Sequence, residues 1–584
     1  MKKNVLALSI AAMIGGLGFA GAASAAVITG GGKGAPNATD IAATSGLMSP
    51  STATSLAVSE GGVGHALVVP YYNAQNGNMT VIHLTNTDTV NGKLVKVRFR
   101  SAANSDDVLD FQVFMSPGDV WTSAVTAGAD GVATLTTADN TCTVPHLAKG
   151  TAQAFVQTRL PSYADPATKA NLTREGYVEI FNMADITDVR AWTADGTASA
   201  TGIHRSPLYN AVKHVNGVAP CSTLNTAART LVDDIGTSAL TENEAAKSGL
   251  QTPTTGLMGD WYIINVPQTT TFSGAATAIQ ATGAANATNV RGNFVHFPQL
   301  STAAVTVTAD ANNLTADPLF RTTQVLTNAN VTPATVPALS LLNFDLPDMS
   351  TPYIATATAT AATAPLAQAQ ALANALRVTS ITNQYANDAG ISAKTDWVFS
   401  MPTRRYNVAA NYAAVTSAAN AAAGTGSAQY RYFSDFGTPG HADDQFYPAG
   451  TGPLAGPLGA GNTTVDAAGN ICVIADGQRF FDREETTGGN IPVFSPGIAG
   501  RVQFCGEVSV LAFRDTGTSV LGASVARNTV TTGSYENGWA VLDTTNGGKG
   551  LPILGSAFIK LENPSASAGR AGTYGITWPH RFTR

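Results

Sequence analysis

Over residues 95–100, Val95, Val97 and Phe99 alternate with Lys96, Arg98 and Arg100. A period of two belongs to a β-strand, whose successive side chains point to opposite faces, and this one predicts a buried apolar face and a wet basic one. Asn91-Gly92 just before it is a hairpin signal, because both central positions of a type I′ turn take positive φ. The partner strand is then Thr80 to Thr85, within the run ALVVPYYNAQNGNMTVIHLTNT. A third strand, Val108 to Met115, follows the polar loop Ser101 to Asp107, and Ser116-Pro117-Gly118-Asp119 turns the chain into a fourth, Val120 to Val125. Short strands with turn signals at this spacing describe one sheet of a β-sandwich. The expected class is all-β, with two antiparallel, immunoglobulin-like β-sandwich regions and a mixed, loop-rich middle holding at least one helix.

The first 25 residues carry Lys2 and Lys3, an apolar run from Val5 to Ala20, and Ala23-Ser24-Ala25 as a small-residue cleavage site. This pattern reads as a secretory signal peptide and predicts an exported protein, at the cell surface or extracellular. Cleavage removes two of 33 basic residues and none of 39 acidic ones, leaving 31 against 39, a formal charge of −8. So mild an acidity gives no reason to expect nucleic acid or an anionic membrane as partner. No later apolar run reaches the ~18 residues of a membrane-spanning helix. The new N-terminus would be Ala26 rather than a lipid-bearing cysteine, and the ending WPHRFTR is unlike the last strand of an outer-membrane barrel. Only 12% of residues are charged, about half the ~25% of ordinary soluble domains, so little charge opposes self-association.

Residues 26–60 are Gly/Ala/Ser/Thr-rich and predict a flexible leader. The first sandwich is expected over 61–186, completed by Val132 to Thr137, Ala152 to Thr158 and Gly176 to Asn182. From 187 to 390 the signal is mixed: Tyr262 to Val266 and Asn293 to Phe297 read as strands. A helix is expected over 365–376, where Pro365 sits in a first turn and Leu366, Ala369, Leu372, Ala373 and Leu376 recur at helical spacing. A second β-rich region, 391–584, has strands at Trp397 to Pro402, Glu507 to Phe513, Gly538 to Leu542 and Leu551 to Leu561. Gly437 to Asn470 is a long Gly/Pro-rich loop, a candidate for assembly or binding. Four cysteines allow three pairings, and in an exported chain they read as disulfides. Cys142–Cys221 and Cys472–Cys505 are the favoured pairs, each closing a loop inside one half of the chain. No CxxC or CxxCH spacing occurs, which argues against a zinc knuckle or attached haem.

Several phrases together resemble a family of uncharacterised secreted proteobacterial proteins labelled as cell-surface proteins. They are VVPYYNAQNGNMTVIHLTNT, VKVRFRSAANSDDVLDFQVFMSPGDVWTSAV, FDLPDMSTPY, TDWVFSMPTRRY, FDREE and the terminal YGITWPHRFTR, spread over nearly the whole mature chain. The resemblance implies display outside the cell, in a surface-layer-like role. It brings no catalytic residues with it.

The densest charge cluster is Asp482-Arg483-Glu484-Glu485. It reads as a solvated turn with Arg483 paired to an acid, or as a calcium site in which Asp482, Glu484 and Glu485 supply oxygens to a hard cation. Asp106, Asp107 and Asp110, with Asn104, form a second acidic group, read as turn caps or as another calcium site. Its spacing is not that of an EF-hand. The histidines lack a HExxH spacing, and neither a GxSxG elbow nor a GxxxxGK phosphate loop occurs, so no catalytic residue and no required cofactor is assigned. Tyr71, Tyr72, Trp121, Trp397, Tyr406, Trp539 and Trp578 read as core or rim aromatics, or as platforms for sugar rings. The basic face Lys96, Arg98 and Arg100, with Lys93, reads as a solvated strand face, or instead as one that meets acidic lipopolysaccharide or acidic patches of a neighbouring subunit. The functional expectation is a non-enzymatic structural surface protein that self-assembles into a layer or sheath. An adhesin or glycan-binding protein is the alternative, and a secreted hydrolase ranks third.

Overall fold

The computed structural model describes residues 26–30, 48–299, 353–354, 371–403, 470–483 and 502–584, with interruptions, together with short strands at 344–345, 408–411, 430–432 and 463–465. With 50% in strands and 13% helical, the chain is mostly β, in several sheets whose described strand pairs are nearly all antiparallel. Among the described residues, Arg527–Val530 beside Val508–Phe513 is the exception, a parallel pair.

Two large sheets build the first body. One runs, in spatial order, through Ser55–Val58, Thr277–Thr282, Ala66–Asn73, Glu175–Ile186, Gly92–Ser101, Asp107–Met115 and Cys142–Val144, with Leu250–Gln251 added beside Glu175–Ile186. The other runs through Gln153–Ala154, Ala133–Thr137, Val120–Ala127, Asn78–Asn86, Leu257–Asn265 and Thr270–Ala275. Val95, Val97 and Phe99 from the first share one core with Ile82, Leu84, Trp121 and Trp261 from the second. These sheets do not close within 61–186. Ser55–Val58 comes from the expected leader, and three long strands between 257 and 282 come from the expected mixed region.

The expected hairpin at Asn91-Gly92 is not formed. Asn78–Asn86 pairs with Val120–Ala127 and Leu257–Asn265, whereas Gly92–Ser101 pairs with Glu175–Ile186 and Asp107–Met115, so the chain crosses from one sheet to the other. Side chains direct the crossing. Asp88 accepts hydrogen bonds from the backbone N–H groups of Val90 and Asn91, both at 2.9 Å, and Asn86 donates to the Asn91 and Ser116 carbonyls. Gly92 serves close approach rather than positive φ: a Cβ there would lie 2.5 Å from the Met115 carbonyl oxygen and 3.2 Å from Ile186 Cβ.

A helical cover lies on the outer face of the larger sheet. Pro207–Val212 starts at the N-cap Ser206, Ala227–Thr237 at Thr226, and Glu242–Ser248 at a capping box in which Thr241 and Glu244 satisfy each other's backbone N–H groups. Leu208, Val212, Val232, Ile235 and Ala245 pack with Leu94, Phe114 and Ile186 of the sheet and with Phe294 and Phe297. Cys142–Cys221 fastens a sheet strand to this cover.

The second body has its own core of Ile381, Tyr385, Trp397, Phe399, Phe480, Phe513 and Leu542. It lies between a five-stranded sheet centred on Lys394–Ser400 and a four-stranded sheet ordered Gly477–Asp482, Asn537–Asp543, Ser380–Ala386, Arg581–Thr583. Cys472–Cys505 joins facing residues of two neighbouring strands. Residues 371–376 are helical, the end of the helix expected over 365–376, and its beginning lies outside the described residues. Among the described residues no helix is long and apolar enough to cross a membrane.

Candidate functional site

The basic strand is not a solvated face. All ten residues of Gly92–Ser101 are buried, and Lys93, Lys96, Arg98 and Arg100 have no exposed side-chain surface. Alternation correctly separated the two faces of the strand. It did not reveal that the charged face lies under Phe297, Gln299 and the end of Ala227–Thr237.

The register shows how these charges are accommodated. Arg98 stands between Asp110 on one neighbouring strand and Glu179 on the other, and its guanidinium lies 4.5 Å from the centroid of the Phe297 ring, a cation–π contact. Lys96 Nζ lies 2.6 Å from Asp110 Oδ1 and also donates to Gln299 Oε1, while Gln299 Nε2 donates to Asp110 at 2.8 Å. Arg100 Nε donates to Glu179 Oε2 at 3.4 Å, and its Nη1 is 3.9 Å from Asp107. Lys93 bridges Asp185 at 2.7 Å and Asp88 at 3.2 Å. Burial pushes Lys96 down to about 8, against the pull of Asp110. It pushes Asp107 well above the carboxylate range, an effect the neighbouring Asp110 reinforces.

Asp106, Asp107 and Asp110, the second calcium candidate, are all buried in this arrangement. Asp110 and Asp107 are buried against Lys96 and Arg100, and no group of three or more His, Cys, Asp or Glu side chains converges on a cation position among the described residues. The polar loop Ser101 to Asp107 is buried throughout. Of the other calcium candidates, Asp482 ends the strand Gly477–Asp482, whereas Glu484 and Glu485 lie outside the described residues. Most of Gly437 to Asn470 lies outside them too. Both favoured disulfides are present.

A second polar cluster, unmarked in the sequence, joins the two bodies. Glu175 accepts backbone N–H groups from Ser524 at 2.8 Å and Val525 at 2.9 Å. The carbonyl of Leu521 accepts from Asn73 and Asn78, and its N–H donates to Asp396. Burial raises Glu175 to about 7 despite those two donors. His580 is also buried, with Nε2 3.0 Å from the Val398 carbonyl and Nδ1 2.9 Å from Asn383 Nδ2, and burial pushes it down to about 3. Partners this complete mark a structural histidine.

The candidate sugar platforms separate cleanly. Tyr71, Tyr72, Trp121 and Trp397 are fully buried core residues, and Tyr406 lies outside the described residues. Trp539 and Trp578 remain open to solvent, 40% and 42% exposed. Trp539 stacks on Phe481 of the neighbouring strand, the ring centroids 4.1 Å apart and the planes 9° from parallel. Phe481 begins FDREE, and no local pattern in the sequence pairs its ring with Trp539.

No family model, curated protein or solved structure matches the chain.

Proposed function

We propose that the chain is an exported structural protein of the cell surface whose copies associate into a layer or sheath. The observation that supports this best is where the charge goes. A chain with only 12% charged residues buries Lys93, Lys96, Arg98, Arg100, Asp185 and Glu507, among others, so its surface carries even less charge than its composition suggests. Low surface charge leaves like subunits with little mutual repulsion. Two disulfides suit an oxidising compartment, in line with the signal-peptide pattern and the resemblance to secreted surface proteins.

The test is sedimentation velocity on the mature protein at graded salt, with and without calcium, followed by negative-stain microscopy of fast-sedimenting material. Ordered sheets or tubes are expected. A monomer under every condition would overturn the reading.

A further inference from the structure

We propose that the outer face of the four-stranded sheet in the second body binds an acidic polysaccharide, one bearing uronic acid carboxylates, around Trp539. This does not rest on self-assembly.

Outward side chains cross this face in rows, two of which frame Trp539, and the row beyond them holds Asp543 between Gly477 and Ser380. Strand register sets Phe481, Trp539 and Gln384 side by side in one row, and Arg479, Val541, Thr382 and Arg581 in the next. Their neighbours along the strands, Phe480, Ala540, Ile381 and Tyr385, point inward to the core, which fixes these rows as the outer surface. Adjacent strands lie ~4.8 Å apart, and alternate residues ~7 Å apart along a strand. Arg479 and Arg581 therefore stand about 14 Å apart, on either side of the position beside Trp539.

Each part matches a part of such a ligand. A sugar ring offers a face of C–H bonds that packs against an indole, and hydroxyls that reach Gln384 and Thr382. Arg479 and Arg581 are both exposed, and among the described residues neither has a carboxylate within ion-pair distance. The formal net charge of the chain is −6, so two exposed guanidiniums flanking an open aromatic stack run against its overall sign. A planar guanidinium meets a carboxylate through two parallel hydrogen bonds, which selects uronic over neutral sugars. Trp121, Trp261 and Trp397 are fully buried, whereas Trp539, like Trp578, stays open to solvent.

The test is titration of the full mature chain with oligogalacturonate and oligomannuronate, followed by calorimetry and tryptophan fluorescence, with a neutral galactan oligomer alongside. Binding of an acidic oligomer is expected, weakening as salt is added. Trp539→Ala is expected to weaken it about tenfold, and the pair Arg479→Gln with Arg581→Gln about tenfold with a flatter salt dependence. Far-ultraviolet circular dichroism of each variant must match the parent. Failure of both acidic oligomers, equal binding of galactan, or unchanged affinity in folded variants would overturn the proposal. So would loss of self-association in Trp539→Ala with no change in glycan binding, which would make a second copy of the chain the occupant.

Discussion

Lys96 and Asp110 show what the buried charges cost and give. Taking either ion from water costs several kcal/mol, and their contact at 2.6 Å offsets this only while both are present. Lys96→Met should leave Asp110 and the Gln299 carbonyl without their cation and cost about 3–5 kcal/mol in urea unfolding. Replacing the partner as well, Lys96→Met with Asp110→Leu, should recover part of that loss, because the unpaired Asp110 charge is removed while Gln299 loses both of its partners here. If the double variant is no more stable than the single one, Gln299 and the surrounding residues, rather than the pair, hold this face together. The alternation of Lys96, Arg98 and Arg100 made the strand legible in the sequence. Its partners were not, because Gln299 is 203 residues from Lys96 and no local pattern links them.

Among the elements, the turn around Leu521–Val525 is the clearest case of placement by distant polar groups. Its N–H groups at Ser524 and Val525 end on Glu175, the Leu521 N–H donates to Asp396, and the Leu521 carbonyl accepts from Asn73 and Asn78. Glu175 is raised from 4.5 to about 7 by burial. A carboxyl whose folded value lies above its unfolded value contributes stability that is complete below pH 4.5 and is lost as pH rises through about 7. Relative to Glu175→Gln, the parent should therefore lose roughly 3 kcal/mol between those limits, read as the pH dependence of the difference in unfolding free energy. A difference that stays flat from pH 4.5 to 8 would mean that Glu175 is already ionised at the lower end. Strands were legible in the sequence where period two was clean, as at Ala133–Thr137. Sheet membership was not. Asn91-Gly92 has the residues of a hairpin turn, but the Asp88 and Asn86 side chains lead the chain across the sandwich instead.

At the scale of the whole molecule, the two β bodies share part of one core. Phe558, on the long strand Leu554–Ser567 of the second body, meets the rings of Tyr71, Trp261 and Phe272 of the first, with centroids 6.3, 5.9 and 5.4 Å away. Val398, Val508, Val510 and Leu554 enter the same cluster. Backbone contacts run alongside, from Val508 N–H to the Ala102 carbonyl at 3.0 Å and from Ser273 N–H to Thr577 Oγ1 at 3.2 Å. A seam that is apolar, aromatic and hydrogen-bonded resembles the inside of a domain more than a contact between independent ones, which are usually more polar. Calorimetry should accordingly show a single unfolding transition for both bodies. Phe558→Ala removes a ring from the seam, and at about 3–5 kcal/mol for such a core truncation it should move the whole transition to lower temperature without splitting it. Two transitions in the parent, or a variant in which only one of two moves, would mean that each body folds alone and the seam merely docks them. In the assembly proposed above, a subunit that unfolds as one unit would enter as a rigid piece, whereas two docked bodies would bring a hinge into every repeat.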